Sequence, residues 1–225
     1  MAEIAGTRGT LKTPRAAAIA GVLFSLLLLT SLALIIQSMQ IRATDSGAWL
    51  DRQSWKVNIA LNLIPLAGIA FLWFVGVLRD RLGEAEDRLF ATVFLGSGLI
   101  FIGLVFAAAS VTGAILAAHA ADPLGFDGSP AFRLGRSLAY HLTSIYALKM
   151  AGVFMLTAST MVLRTRFTAR WTAFLGYGAA AFILLGSQVF DWTLVIFPMW
   201  VLVLSVNILS EEYHRPAPVP PLRER

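Results

Sequence analysis

A chain of 225 residues that is 57% hydrophobic and only 14% charged lies far from the soluble-domain norm of about 25% charged. A water-facing globule of this size has no means of hiding so much apolar surface. Its net charge of +5 sits in short basic clusters between long apolar runs, the pattern of a topology signal and not of a nucleic-acid face, so nucleic acid is not an expected partner. The lipid bilayer is the expected solvent, in keeping with a mean hydropathy of +0.73.

The absence of cysteine excludes disulfides, thiolate metal sites and cysteine nucleophiles. Arginine outnumbers lysine and alanine is abundant, which points to a GC-rich bacterial genome.

Residues 1–14 are polar and basic, like a signal-peptide n-region. The apolar run behind them, Ala16 to Ile36, is longer than an h-region of about 7–15 residues, and no small-x-small cleavage site follows. It reads as a retained first span, 15–38. A loop, 39–56, carries Trp49, Leu50 and Trp55 and is expected to lie partly along the membrane surface. The second span, 57–78, contains Pro65. The third, 89–118, is long enough to require tilting or projection beyond the lipid.

The segment 119–137 is rich in turn formers (Asp122, Pro123, Gly125, Gly128, Pro130) and is expected to be irregular. The fourth span is 138–163. Beyond it, 171–210 holds no Lys or Arg and one charge, Asp191. Forty helical residues would extend roughly 60 Å, about twice the hydrocarbon thickness. A hairpin is therefore expected, 171–188 and 192–209, turning at Ser187, Gln188 and Asp191. The tail, 211–225, is Pro-rich and reads as extended.

The fold class that results is all-α, a polytopic transmembrane helix bundle of six spans within 15–210. The basic residues orient it. Arg8, Lys12, Arg15, Arg79, Arg81, Arg88, Arg164, Arg166, Arg170, Arg215, Arg223 and Arg225 fall on one side, twelve in all. Arg42, Arg52, Lys56, Arg133 and Arg136 fall on the other, five in all. The positive-inside rule places the richer side, and with it both termini, in the cytoplasm. Trp55, Tyr140 and Trp192 then mark the outer interface, and Trp171 and Tyr213 the inner one.

Lipid is as apolar as leucine, so helices associate through close packing and interhelical hydrogen bonds. Two small-residue stripes suit that purpose: Gly96, Gly103 and Ser110 with Ala107 on the third span, and Gly176, Ala180 and Gly186 on the fifth. Both are expected to be packing faces, and a homo-oligomer or a membrane-protein partner seated on one is compatible with the pattern.

Lys149 is the most informative residue. An ammonium about 16 Å along a span from its outer end costs about 2.5–3.5 kcal/mol on insertion scales and defaults to a functional hypothesis. The competing reading is structural, a lysine bonded to freed carbonyls. On the second span Asn58, Asn62 and Pro65 share a face, and Pro65 frees the carbonyl of Leu61. At ideal helical phase His141, Ser144, Gly152 and Ser159 share an arc with Lys149, and Gln188 and Asp191 cap the neighbouring hairpin. Lys149, Asn58, Asn62, His141, Asp191 and Gln188 are therefore the candidate ligand-binding set. Together they would line an outward-facing polar cavity suited to a small anionic solute.

His119 and His141 both lie near the outer face and raise haem ligation, but His119 falls at a helix end, a solvated position. No cofactor, metal or catalytic residue is expected. There is no H-E-x-x-H, G-x-S-x-G or P-loop motif. Glu84, Glu86 and Asp87 read as a solvated cytoplasmic turn, and enzyme activity is not expected.

The stretches 86–98 (EDRLFATVFLGSG) and 164–178 (RTRFTARWTAFLGYG) resemble segments of uncharacterised small multi-pass integral membrane proteins of bacteria, of the domain-of-unknown-function type. The resemblance extends over most of the chain and implies an inner-membrane location, but no activity. The expected role is structural, accessory or partner-binding. The alternative is a small-solute or ion permease, or an extracellular ligand sensor, built around Lys149.

Overall fold

The computed structural model describes residues 13–38, 49–80, 88–165, 168–186 and 191–213, and all regular structure among them is helical. Helix α1 runs Thr13–Ser38, α2 Trp49–Asp80 and α3 Arg88–Ala121. A short α4 (Pro123–Phe126) precedes α5 (Pro130–Tyr140), which passes through a π-helical segment, His141–Ala147, into α6 (Leu148–Thr165). Then follow α7 (Arg170–Gly186), a 3-10 turn over Asp191–Val195, and α8 (Ile196–Tyr213). The acidic cluster Glu84, Glu86 and Asp87, Gln188 and the Pro-rich end of the tail lie outside the described residues.

Five helical stretches are long and apolar enough to cross a membrane: Ala16–Ser38, Leu50–Arg79, Leu89–Ala121, Pro130–Arg164 and Trp192–Glu211. Helix α7 has 17 residues, about 26 Å of rise, and packs against α6 and α8. Large apolar side chains also face outward. Leu66, Ile69 and Trp73 on α2, Ile100 on α3, and Phe174 on α7 are all exposed, as lipid-facing positions must be.

The core is organised around phenylalanine. Phe71 of α2 lies 4.7 Å from Phe24 of α1, 5.5 Å from Phe101 of α3, 5.4 Å from Phe154 of α6 and 5.9 Å from Phe197 of α8, measured between ring centroids. Five helices thus meet on one aromatic cluster, tilted or edge-on as ring quadrupoles prefer.

The two small-residue stripes part company. On α7, Ala180 is fully buried, and a Cβ at Gly176 would overlap Ser159 Oγ on α6 and lie 2.7 Å from Trp200 Nε1 on α8. That glycine lets three helices close together. On α3, nothing lies within 4 Å of the Cβ positions of Gly96 or Gly103, and Ser110 is exposed. Gly98 faces the core in their stead, its Cβ position 3.2 Å from the Phe154 ring. The α3 stripe packs on nothing among the described residues.

The segment 119–137 is largely helical, against the expectation of an irregular loop. Its turn formers start helices: Asp122 accepts from Gly125 N with Pro123 in the first turn, and Ser129 accepts from Phe132 N ahead of Pro130. Both are N-caps followed by a proline whose missing N–H costs nothing there. Residues 49–56, expected along the membrane surface, open α2, with Asp51 in its first turn, where an acid favours the helix dipole. Leu50, Val57, Ile115 and Phe132 close a second, outer core between α2, α3 and α5.

Candidate functional site

The geometry around Lys149 is structural. Its Nζ donates to the backbone carbonyl of Leu184 on α7, two residues from the end of that helix at Gly186. The last four carbonyls of a helix have no intrahelical partner, and a cation there also meets the negative end of the dipole. Lys149 caps α7. Gly152, one turn along, permits the approach, since its Cβ position lies 3.0 Å from the Leu184 side chain.

The other expected residues are scattered. Asn62 donates to the carbonyl of Asn58 at 2.8 Å, and both are exposed. Asn58 lines an open outer groove between α2 and α3 with Trp55 and His119. His141 is exposed, with Nδ1 2.7 Å from the carbonyl of Ser137. Asp191 opens the 3-10 turn, and Gln188 lies outside the described residues. Neither cavity wall contains Lys149.

The arc drawn from Lys149 failed for a definable reason. It assumed 3.6 residues per turn, but His141–Ala147 is π-helical, with Leu148 N bonded to the Thr143 carbonyl five residues back. A π segment has more residues per turn and rotates everything before it relative to α6. Gly152 lies against Leu184 and Ser159 against Gly176 of α7, the helix that Lys149 reaches, while Ser144 turns elsewhere.

Where it turns is a cavity of about 110 Å³ between α1, α3, α8 and the α5–α6 stretch. Along the latter its wall is Arg136, Ala139, Tyr140, Thr143, Ser144, Ala147 and Leu148, so the π segment supplies its centre. Such segments occur often at functional sites. Arg136, expected in an exposed outer loop, is only 6% exposed. It falls with Phe132 and Ala139 on the buried face of an amphipathic α5, at i, i+4 and i+7 spacing. That periodicity behind a Ser129-Pro130 helix start was the legible signal for it.

The cavity is graded. Thr112 and Tyr140 stand near Arg136, while Leu28, Phe101, Leu148 and Phe197 form the far end. Ser31 donates to the Ala60 carbonyl at 3.0 Å, Thr112 to Ala108 at 2.9 Å and Thr143 to Ala139 at 2.9 Å. These three hydroxyl donors are thus engaged, and what each can still offer is acceptor oxygen. The guanidinium is the wall's one charged group.

His119, expected to be solvated, is a clamp. Its side chain is 11% exposed, with Nδ1 2.8 Å from Asp127 and Nε2 3.3 Å from Asp51. It ties the start of α2 to the turn after α4. The two aspartates take opposite ring nitrogens, which is a bridge and not a shared metal site, and no cluster of metal-ligating side chains occurs among the described residues.

These features define a class: a helical protein with the long apolar spans of membrane insertion and one basic, mostly apolar cavity between its helices. No family model, no curated protein and no solved structure matches the chain.

Proposed function

We propose that the chain is a six-span protein of a bacterial inner (cell) membrane, with both termini cytoplasmic. On this reading it serves as a structural, accessory or partner-binding component, and not as an enzyme or a permease. The observation that carries it is the engagement of Lys149 with the Leu184 carbonyl. A permeation path based on Lys149 needs that cation facing a polar route, and here it is spent on a neighbouring helix end. Further along α6 two threonines turn back on their own helix: Thr157 donates to the Val153 and Phe154 carbonyls and Thr160 to that of Leu156, while Thr160 also meets Tyr177 of α7. Six crossings are supported by α7 packing between α6 and α8, and the orientation by the twelve-to-five basic bias.

Two measurements test the reading. Reporter fusions should show fluorescence, the cytoplasmic signal, after Arg166 and Arg225, and periplasmic phosphatase activity after Asp127; phosphatase activity at either arginine overturns the topology. Liposomes loaded with pH- and chloride-sensitive dyes should leak no faster with the protein than without it, and protein-dependent flux restores the permease. A ligand-sensing role, the second reading, is favoured by the Arg136 cavity and no longer by Lys149.

A further inference from the structure

The cavity between α1, α3 and the π segment has a shape as well as a charge. Its wall follows α3 from Phe101 to Thr112, eleven residues or about 16 Å of rise, and α1 from Leu28 to Ile36, about 12 Å. It is therefore a slot lying along the helices, with Arg136 and Tyr140 toward one end and Leu28, Phe101 and Phe197 toward the other. Its volume, about 110 Å³, is of the order of the roughly 150 Å³ apolar cavity that admits one benzene ring. The slot is partly open, so it has room for a few carbons of one aliphatic chain beside the head and not for two chains side by side, the remainder of a longer chain staying in the lipid.

We infer that this slot binds a single-chain carboxylate amphiphile, of the fatty-acid class, drawn from the surrounding lipid. Its carboxylate meets Arg136 and its chain lies toward Phe101. A guanidinium carries five N–H donors in a planar fork that matches a carboxylate in two parallel bonds. Arg136 has a polar interaction of its own, and the fork has donors for more than one acceptor. The inference goes beyond the accessory role proposed above and is independent of which side the termini face.

The physics also says what is read. A chain moving from bilayer to slot exchanges one apolar medium for another, so its length discriminates little. Selectivity has to come from the head. Charge-assisted hydrogen bonds predict a preference of roughly tenfold to a hundredfold for an anionic head over a neutral one.

The test uses the full-length protein in a neutral maltoside detergent, titrated with dodecanoate, dodecanol and dodecyltrimethylammonium and read by native mass spectrometry. Dodecanoate should bind one per chain, with dodecanol at least about tenfold weaker and the ammonium absent. Arg136→Gln should lose the dodecanoate preference. Ala108→Leu, which leaves the arginine in place and fills the slot from α3, should lose binding altogether, so the inference stays testable if the arginine variant misfolds. Dodecanol binding as well as dodecanoate, dodecanoate binding undiminished in Ala108→Leu, or no adduct in the parent would each overturn it. Phosphatidylglycerol displacing dodecanoate at equal concentration would overturn the single-chain assignment in favour of a two-chain phospholipid.

Discussion

Lys149 and Leu184 are thirty-five residues apart in the chain and joined by one bond, from the lysine ammonium to the leucine carbonyl. The lysine sits one residue into α6 and the carbonyl two residues before the end of α7. Antiparallel neighbours bring those two ends together. A half-buried cation and an unpartnered helix terminus, each unfavourable alone in lipid, satisfy one another.

Replacing the lysine should loosen one helix end and little else. Lys149→Met removes the cap but also an expensive charge, and the two effects oppose each other over the whole protein. The residue-level effect does not cancel. Amide exchange in the last turn of α7, around Phe182–Leu185, should accelerate while α1 and α2 keep the parent rates. Unchanged exchange there would return Lys149 to the list of unexplained intramembrane charges.

Phe71 touches four other phenylalanine rings from four helices, and Phe71→Ala should be the most damaging single core truncation. Water-soluble cores lose about 3–5 kcal/mol on Phe→Ala. Lipid removes part of the transfer term, because the unfolded reference is also apolar, so about 2–4 kcal/mol is expected. Denaturant titration in mixed micelles measures it, and Phe71→Leu should recover most of the loss.

The two glycine stripes predict opposite outcomes for one substitution. Gly176→Leu drives a side chain into Ser159 and Trp200, and overpacking of this kind costs typically 1–3 kcal/mol. Gly103→Leu meets nothing within 4 Å and should change stability by about 0.5 kcal/mol or less. Thermal aggregation of the two purified variants checks the pair. Crosslinking of the parent that Gly103→Leu abolishes would identify the α3 stripe as an interface between copies.

His119→Leu should free the outer turn without unfolding the bundle. Asp51 is mostly exposed, so the lost pairing is of the surface kind, about 0.2–1 kcal/mol. Protease cleavage near Asp127 and Gly128 should rise in the variant. In the parent, 1 M salt should raise it too, because the Debye length falls to about 3 Å. Salt-insensitive cleavage would show that packing of Phe126 on Phe132, and not the imidazole, holds the turn.

The α3 stripe marks how far one chain's pattern reaches. Gly96, Gly103 and Ser110 have the same spacing logic as Gly176 and Ala180, and only the latter are covered by neighbours. Small residues state that close approach is allowed, not that a helix is there. The caps at Asp122 and Ser129 were legible in the same way: each turn former was correctly seen, but an N-cap and a loop residue are the same amino acid until the next turn is formed.

Helical, lipid-compatible architecture was determined by the sequence alone, because the length and composition of an apolar run satisfy the bilayer whatever stands beside them. Which polar groups meet was decided only by tertiary structure. The π segment at His141–Ala147 changed the phase of one helix and carries Ser144 into a cavity wall shared with Arg136. Burial belongs to neighbours, and a rotation of part of a turn is enough to exchange them.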